Sequence, residues 1–269
     1  MTSPQDSLSH AETLDRLHSL RGVLFDLDGV LTPTADVHMH AWSRLFTPFL
    51  EEQGVSPAYS DADYFEYIDG KPRYDGVRCL LASRGITLPD GLPTDAPDQE
   101  TVCGLGNRKN EAFNETLAEE GVTPYSGSLE FLDFVTRAGL LVAVVTSSRN
   151  GELTLAAAGI RNRFEVVVDG LLSASRGLAG KPAPATYELG AELLGLTAGE
   201  CVVVEDAQSG IQAGRAGNFG LVLGVDRGVG RQTLLDAGAD IVVSDLDELV
   251  PASVITTPNT TSATREANA

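Results

Sequence analysis

Six short apolar runs rich in β-branched residues constrain this chain most: Gly22–Phe25, Leu140–Val145, Glu165–Val168, Cys201–Val204, Leu221–Leu223 and Ile241–Val243. They lack the polar alternation of half-exposed strands, as expected of strands covered on both faces of a parallel sheet. From the second run onward they alternate with stretches of helical period at Ser128–Ala138, Glu152–Ala158, Ala183–Leu194, Gln208–Ala216 and Gln232–Ala237. That alternation predicts an α/β fold, a doubly wound parallel sheet of Rossmann-like architecture.

The alternation is interrupted once. Between the first and second runs lie about 110 residues with no comparable strand, where helical period is read at Ala35–Gln53, Asp61–Ile68, Arg73–Arg84 and Asp98–Glu120. The insertion is long enough to form a small domain. The expected division is therefore a core of residues 19–33 and 122–250 with an inserted α-helical cap domain at 34–121. The polar residues 1–18 and the Thr-, Asn-, Ala- and Pro-rich residues 251–269 are expected to be flexible tails.

Composition narrows the partners. Against 19 basic residues stand 38 acidic ones, a net charge of −19, which argues against a nucleic-acid partner because such binding needs a basic face. No apolar run approaches the roughly 20 residues of a membrane helix, and the first residues lack a basic segment followed by an apolar one. Cys79, Cys103 and Cys201 are widely spaced without C-x-x-C, so neither a disulfide framework nor a zinc site is expected. These features lead us to expect a cytoplasmic monomer with no membrane partner.

Chemistry concentrates where strands end. Phe25-Asp26-Leu27-Asp28-Gly29-Val30 puts two carboxylates at the carboxyl end of the first run, where open α/β sheets bind ligands. One could attack while the other handles protons, or both could hold a divalent cation; a D-x-D-G turn would serve geometry alone. After the second run, Thr146-Ser147-Ser148-Arg149-Asn150 offers hydroxyls and helix N–H groups suited to phosphate, or an ordinary helix cap. Lys181, before Pro182, can neutralise a bound anion as a point charge, or be a solvated loop lysine. After the fourth run come Glu205 and Asp206, the second of which could cap the following helix. Four carboxylates in one crevice repel unless a hard cation, best matched by magnesium, sits among them.

As an ordered set, DLDGVLT, VTSSRN, KP and VEDAQSG resemble the four motifs of the haloacid dehalogenase superfamily, over nearly all of residues 20–245. The resemblance implies Asp26 as nucleophile and Asp28 as general acid/base. It implies one magnesium ion held by the Asp26 carboxylate, the Asp28 main-chain carbonyl and Asp206, with Glu205 close by through water. Thr146 and Lys181 would hold the transferring phosphoryl group. Within the insertion, Thr34–Trp42 resembles the hinge and first cap helix of the β-phosphoglucomutase-like subfamily. Asp69-Gly70-Lys71-Pro72-Arg73 is similar to its loop for a distal phosphate, Asn107–Asn110 to its last cap helix, and Ser148-Arg149-Asn150 to the core side of its sugar-phosphate site.

Arg73, Lys109, Arg149 and Lys181 are thus expected to converge, giving an acidic protein one cationic pocket for a small phosphorylated sugar. His38 would orient Lys109 or a phosphate, or fill a structural place, and Trp42 would belong to the cap core. Pro33 precedes the hinge Thr34, where relatives usually carry Asp, and it fixes its own φ and removes an N–H there. The activity implied is a β-phosphoglucomutase, working through β-glucose 1,6-bisphosphate as activating intermediate. The alternatives are a magnesium-dependent sugar-phosphate phosphatase of the same fold and a non-catalytic sugar-phosphate-binding module.

Overall fold

A computed structural model describes residues 7–251. Six strands, β1 (Gly22–Phe25), β2 (Leu141–Val145), β3 (Val166–Val168), β4 (Cys201–Glu205), β5 (Leu221–Val225) and β6 (Ile241–Val243), form one parallel sheet in the order β3-β2-β1-β4-β5-β6. Each corresponds to one of the apolar runs. Val23 and Phe25 pack on one face with Val202 and Val204, whereas Leu24 and Val203 pack on the other. Both faces are thus apolar along every strand, which is why polar alternation is missing.

One face is covered by α6 (Ser126–Arg137) and α7 (Gly151–Ala157), through Phe131, Val135 and Leu155. The other is covered by α9 (Ala185–Leu193), α10 (Gln208–Ala216) and α11 (Arg231–Ala237), through Tyr187, Ile211 and Leu234. A short helix, α8 (Gly170–Ser175), was not expected; Asp169 caps it by accepting from the Leu171 and Leu172 N–H groups.

Residues 10–18 correct the expectation of a flexible N-terminal tail. They form α1 (His10–His18), opened by a capping box between Ser9 and Glu12. Leu14 and Leu17, three apart on one helix face, pack against the core, and the Leu8 N–H donates to the Asp240 carbonyl at 2.8 Å. The expected tails at residues 1–6 and 252–269 lie outside the described residues.

Between β1 and β2 run α2 (Thr34–Glu52), α3 (Asp61–Asp63) continuing as a π-helical turn at Tyr64–Ile68, α4 (Arg73–Ser83) and α5 (Val102–Glu120). They enclose an apolar cluster of their own around Phe46, Leu50, Leu80 and Leu105. Helix α5 starts at Val102 rather than Asp98, because Thr101 accepts from the Gly104 N–H and closes the helix start there. Among the described residues no helix is long and apolar enough to cross a membrane. All three cysteines are free.

Phe25 pairs with Val144 on one side and Val204 on the other. The three central strands therefore end together, and the residues after β1, β2 and β4 emerge side by side at one edge, where the strand order reverses.

Candidate active site

The site is built around one buried lysine. Lys181 Nζ donates to Asp26 Oδ1 at 2.5 Å, to Glu205 Oε1 at 2.6 Å and to the Val145 carbonyl at 3.2 Å, with its side chain 1% exposed. It thereby joins the ends of β1, β2 and β4. Burial works against its charge, yet Asp26 and Glu205 raise its pKa above the ordinary value. Burial pushes the Asp26 carboxyl well up against the pull of Lys181, with Glu205 and Asp28 adding repulsion.

Glu205 faces inward. Its Oε1 also receives the Tyr187 hydroxyl at 2.9 Å, and its Oε2 accepts from the Asp206 and Ala207 N–H groups at 3.0 Å each. It orients both the lysine and the turn that carries Asp206. Asp206 in turn lies against Gly29, whose φ of +86° suits only glycine and where a Cβ would come within 1.8 Å of Asp206 Oδ2.

Oxygens of Asp26, Glu205 and Asp206 lie within 4.8 Å of one another. All are hard carboxylate donors at the end of a dry sheet, and the close packing of Asp206 on Gly29 brings the backbone after Asp28 beside them. The arrangement fits a hard divalent cation.

Asp28 points toward the cap. Its Oδ1 accepts from Thr34 Oγ1 at 2.5 Å, and its Oδ2 lies 3.4 Å from Thr146 Oγ1. Burial alone would raise its pKa, but His38, Thr34 and Lys109 hold it below the ordinary value. His38 Nδ1 is in hydrogen-bond contact with Lys109 Nζ, and its ring stacks on Phe113. With Nδ1 accepting from the ammonium, Nε2 carries the proton and lies 3.4 Å from Asp28 Oδ1, without the alignment of a full hydrogen bond. Burial and the Arg73 charge keep Lys109 well below the usual lysine range. Pro33 sits at the start of α2, where a missing N–H leaves no helix bond unmade.

Arg73, Arg149 and Lys109 also line the cavity. Arg73 donates to Asn110 Oδ1 at 2.6 Å, Asn150 Nδ2 to the same oxygen at 2.7 Å, and Arg149 stacks over Tyr74 at 5.7 Å. Burial lowers the Arg73 pKa to about 10. Of the four expected cations, three line the cavity and Lys181 stands behind Asp26. Thr146, Ser147, Ser148 and Gly70 line it as well, whereas Asn150 joins through Asn110. Trp42 is buried in the cap cluster, stacked on Phe46, and presents part of its surface to the cavity.

The cap rests on the core at this mouth. Ser147 Oγ donates to the Gly70 carbonyl at 2.7 Å and Ser209 Oγ to the Asp69 carbonyl at 3.0 Å. Gly70 has φ +68°, and a Cβ there would meet Ser209 Oγ at 2.2 Å. Burial, then Glu205, pushes the Asp69 carboxyl up to about 7.

Several participants escaped the sequence reading. Tyr187 lies on an apolar helical face and reads as core. Ser209 and Asn110 sit inside recognised segments without a signal of their own. Arg227 lies in a Gly-rich loop, yet its guanidinium donates to the Gly29 carbonyl at 3.1 Å and to Asp245 at 2.9 Å and stacks on Tyr125.

Residues 20–218 match the model of the haloacid dehalogenase-like hydrolase family. The chain is 47% identical over 241 residues to a β-phosphoglucomutase of Mycobacterium bovis, covering 86% of this chain and 92% of that protein. It is 30% identical to hexitol phosphatase A of Escherichia coli over 73% of this chain and 79% of that protein. In fold it is similar to a solved β-phosphoglucomutase structure from Clostridium difficile, with TM-score 0.69, 22% identity and coverage of 88% and 95% of the two chains. The parallel sheet with its inserted helices is the fold of that solved structure, and on the family match and the 47% identity the chain belongs to the haloacid dehalogenase superfamily, in its β-phosphoglucomutase-like subfamily.

Proposed function

We propose that this protein interconverts β-glucose 1-phosphate and glucose 6-phosphate through an enzyme-bound β-glucose 1,6-bisphosphate, with residues 34–121 as cap and 19–33 with 122–250 as catalytic core. The observation that carries the reading is the second group of cations lining the cavity, in which Arg73 from the cap is held by Asn110, itself bonded by Asn150 of the core. A phosphatase needs charge for one phosphate, whereas a bisphosphate presents two.

Asp26, once phosphorylated, donates its phosphoryl group to a sugar hydroxyl while Asp28 removes that hydroxyl's proton. The bisphosphate reorients, Asp26 takes the other phosphoryl group, and Asp28 returns the proton to the leaving oxygen. Thr146 and Lys181 hold the transferring group at Asp26, and Lys181 offsets the charge that Asp26 brings near an anion. Arg73, Lys109, Ser147, Ser148, Arg149 and Asn150 hold the distal phosphate and sugar, with His38 orienting Lys109 and Gly70 allowing the cap to approach. Asp26, Asp206 and the Asp28 carbonyl, with Glu205 one step removed, would hold a magnesium ion, which would supply electrostatic stabilisation of the transferring phosphoryl oxygens. Closure of the cap on Ser147 and Ser209 excludes water and favours transfer over hydrolysis.

The test is an assay with β-glucose 1-phosphate, magnesium and a trace of the 1,6-bisphosphate, following glucose 6-phosphate and free phosphate together. The expected result is abundant glucose 6-phosphate with little free phosphate. Free phosphate alone would make the protein a sugar-phosphate phosphatase, and turnover of no phosphate ester would leave a binding module. Arg73→Ala is expected to lower mutase turnover about 100-fold through misplacement of the bound sugar. Hydrolysis of a small monophosphate ester should change by less than about threefold, since one phosphate needs only the Asp26 end. Equal losses in both assays would remove the distal-phosphate role.

A further inference from the structure

The cavity carries two arginines from opposite sides of the cap–core seam, Arg73 from the cap and Arg149 from the core. Among the described residues neither forms an ion pair with a carboxylate, whereas Arg78, Arg84 and Arg227 each do. Burial lowers the Arg73 pKa and the Arg149 charge adds to the fall, so the two guanidinium groups are close enough to repel. A seam with like charges on both sides resists closing unless something holds them in place.

Arg149 has a partner of another kind. Its guanidinium carbon stands 5.7 Å from the centre of the Tyr74 ring, within the range of a cation–π contact. Tyr74 follows Arg73 at the start of α4, so adjacent cap residues carry one cation and the face that receives the other. The ring is held from behind. Its hydroxyl donates to Asn107 Oδ1 at 3.0 Å, and Asn107 Nδ2 donates to the Pro93 and Asp95 carbonyls at 3.2 and 2.9 Å, in the loop before α5. Gly106 lets the ring lie against α5, for a Cβ there would come within 2.8 Å of it, and glycine inside a helix is otherwise unfavourable. On the core side Gly170 leaves room for the Arg149 stem, where a Cβ would stand 3.0 Å from Cγ. Ring and guanidinium meet across the seam beside the chain that joins Asn150 through Asn110 to Arg73.

This inference rests on the reading that Arg149 holds the distal phosphate. We propose that Tyr74 is a positioning residue for Arg149, its ring face holding the guanidinium opposite Arg73 so that both cations grip the distal phosphate when the cap is closed. An aromatic face covers the guanidinium plane and leaves its N–H edge free for phosphate, whereas a carboxylate would occupy that edge. Tyr74 acts through Arg149 rather than on the phosphate.

The test is calorimetric titration of the Asp26→Asn protein, which cannot turn the ligand over, with β-glucose 1,6-bisphosphate and magnesium. Adding Tyr74→Leu is expected to weaken binding about five- to thirtyfold, the span of a cation–π contact from partly to fully desolvated. Tyr74→Phe keeps the face and should bind within about twofold of the parent. Arg149→Met should weaken binding at least about tenfold. Tyr74→Leu on top of Arg149→Met should cost less than about twofold more, because the ring has no cation left to hold. Thermal unfolding checks that each variant is folded. A merely structural Tyr74 would weaken binding by the same factor with and without Arg149. That result, or Tyr74→Leu binding as the parent does while Arg149→Met binds weakly, would overturn the proposal and leave the distal-phosphate reading standing. Equal affinity of Arg149→Met and its parent would remove the reading and the proposal together.

Discussion

Asp26→Asn is expected to abolish phosphoryl transfer, lowering turnover of every phosphate ester by at least about 1,000-fold, since an amide cannot form the covalent intermediate. The variant should nevertheless fold. Asparagine keeps the volume of the side chain and removes one negative charge from a buried site where burial, with repulsion from Glu205 and Asp28, already pushes the Asp26 carboxyl up. Its thermal midpoint should therefore equal or exceed that of the parent. Incubation with a bisphosphate donor followed by intact-mass measurement under acid quench separates the steps directly. Wild type should gain one phosphoryl group and Asp26→Asn none. Labelling of Asp26→Asn would place the nucleophile elsewhere.

Lys181→Met should be the most destabilising single change in the core. The lysine is the shared partner of Asp26 and Glu205, and its side chain is 1% exposed. Removing one member of a buried charge set leaves the others uncompensated, at about 3–5 kcal/mol, which for a chain of this size lowers the midpoint by roughly 6–20 °C. Adding Glu205→Gln removes one of the stranded charges and should restore part of the stability but none of the turnover. Calorimetry of the two single variants and the double variant closes the cycle. If the double variant were as unstable as the sum of the singles, the two residues would not be coupled, and Glu205 would lose its role of holding Lys181.

The sheet was legible because burial on both faces leaves a compositional trace. A strand such as Cys201–Glu205 has nowhere to place a polar residue until it reaches the edge, where Glu205 and Asp206 begin the chemistry. The candidate site was legible for the same reason: charged residues directly after apolar runs stand out, and parallel register brings those ends together. Contacts that close over long sequence distance left no such trace. Thr34 bonding Asp28, Asn110 joining Arg73 to Asn150, and Tyr187 supporting Glu205 each depend on how cap and core meet. The helix at His10–His18 leaves little trace because most of its residues are polar: polar Thr13 is buried, and of its apolar side chains Leu14 and Leu17 pack on the core.

Two of the bonds that seat the cap on the core end on main-chain oxygens of residues 69 and 70, while Lys71 and Arg73 of the same loop border the cavity. Gate and filter are therefore separate parts of one segment. Side chains at positions 71 and 73 can change what the cavity admits without touching this latch, which reads no side chain of the loop.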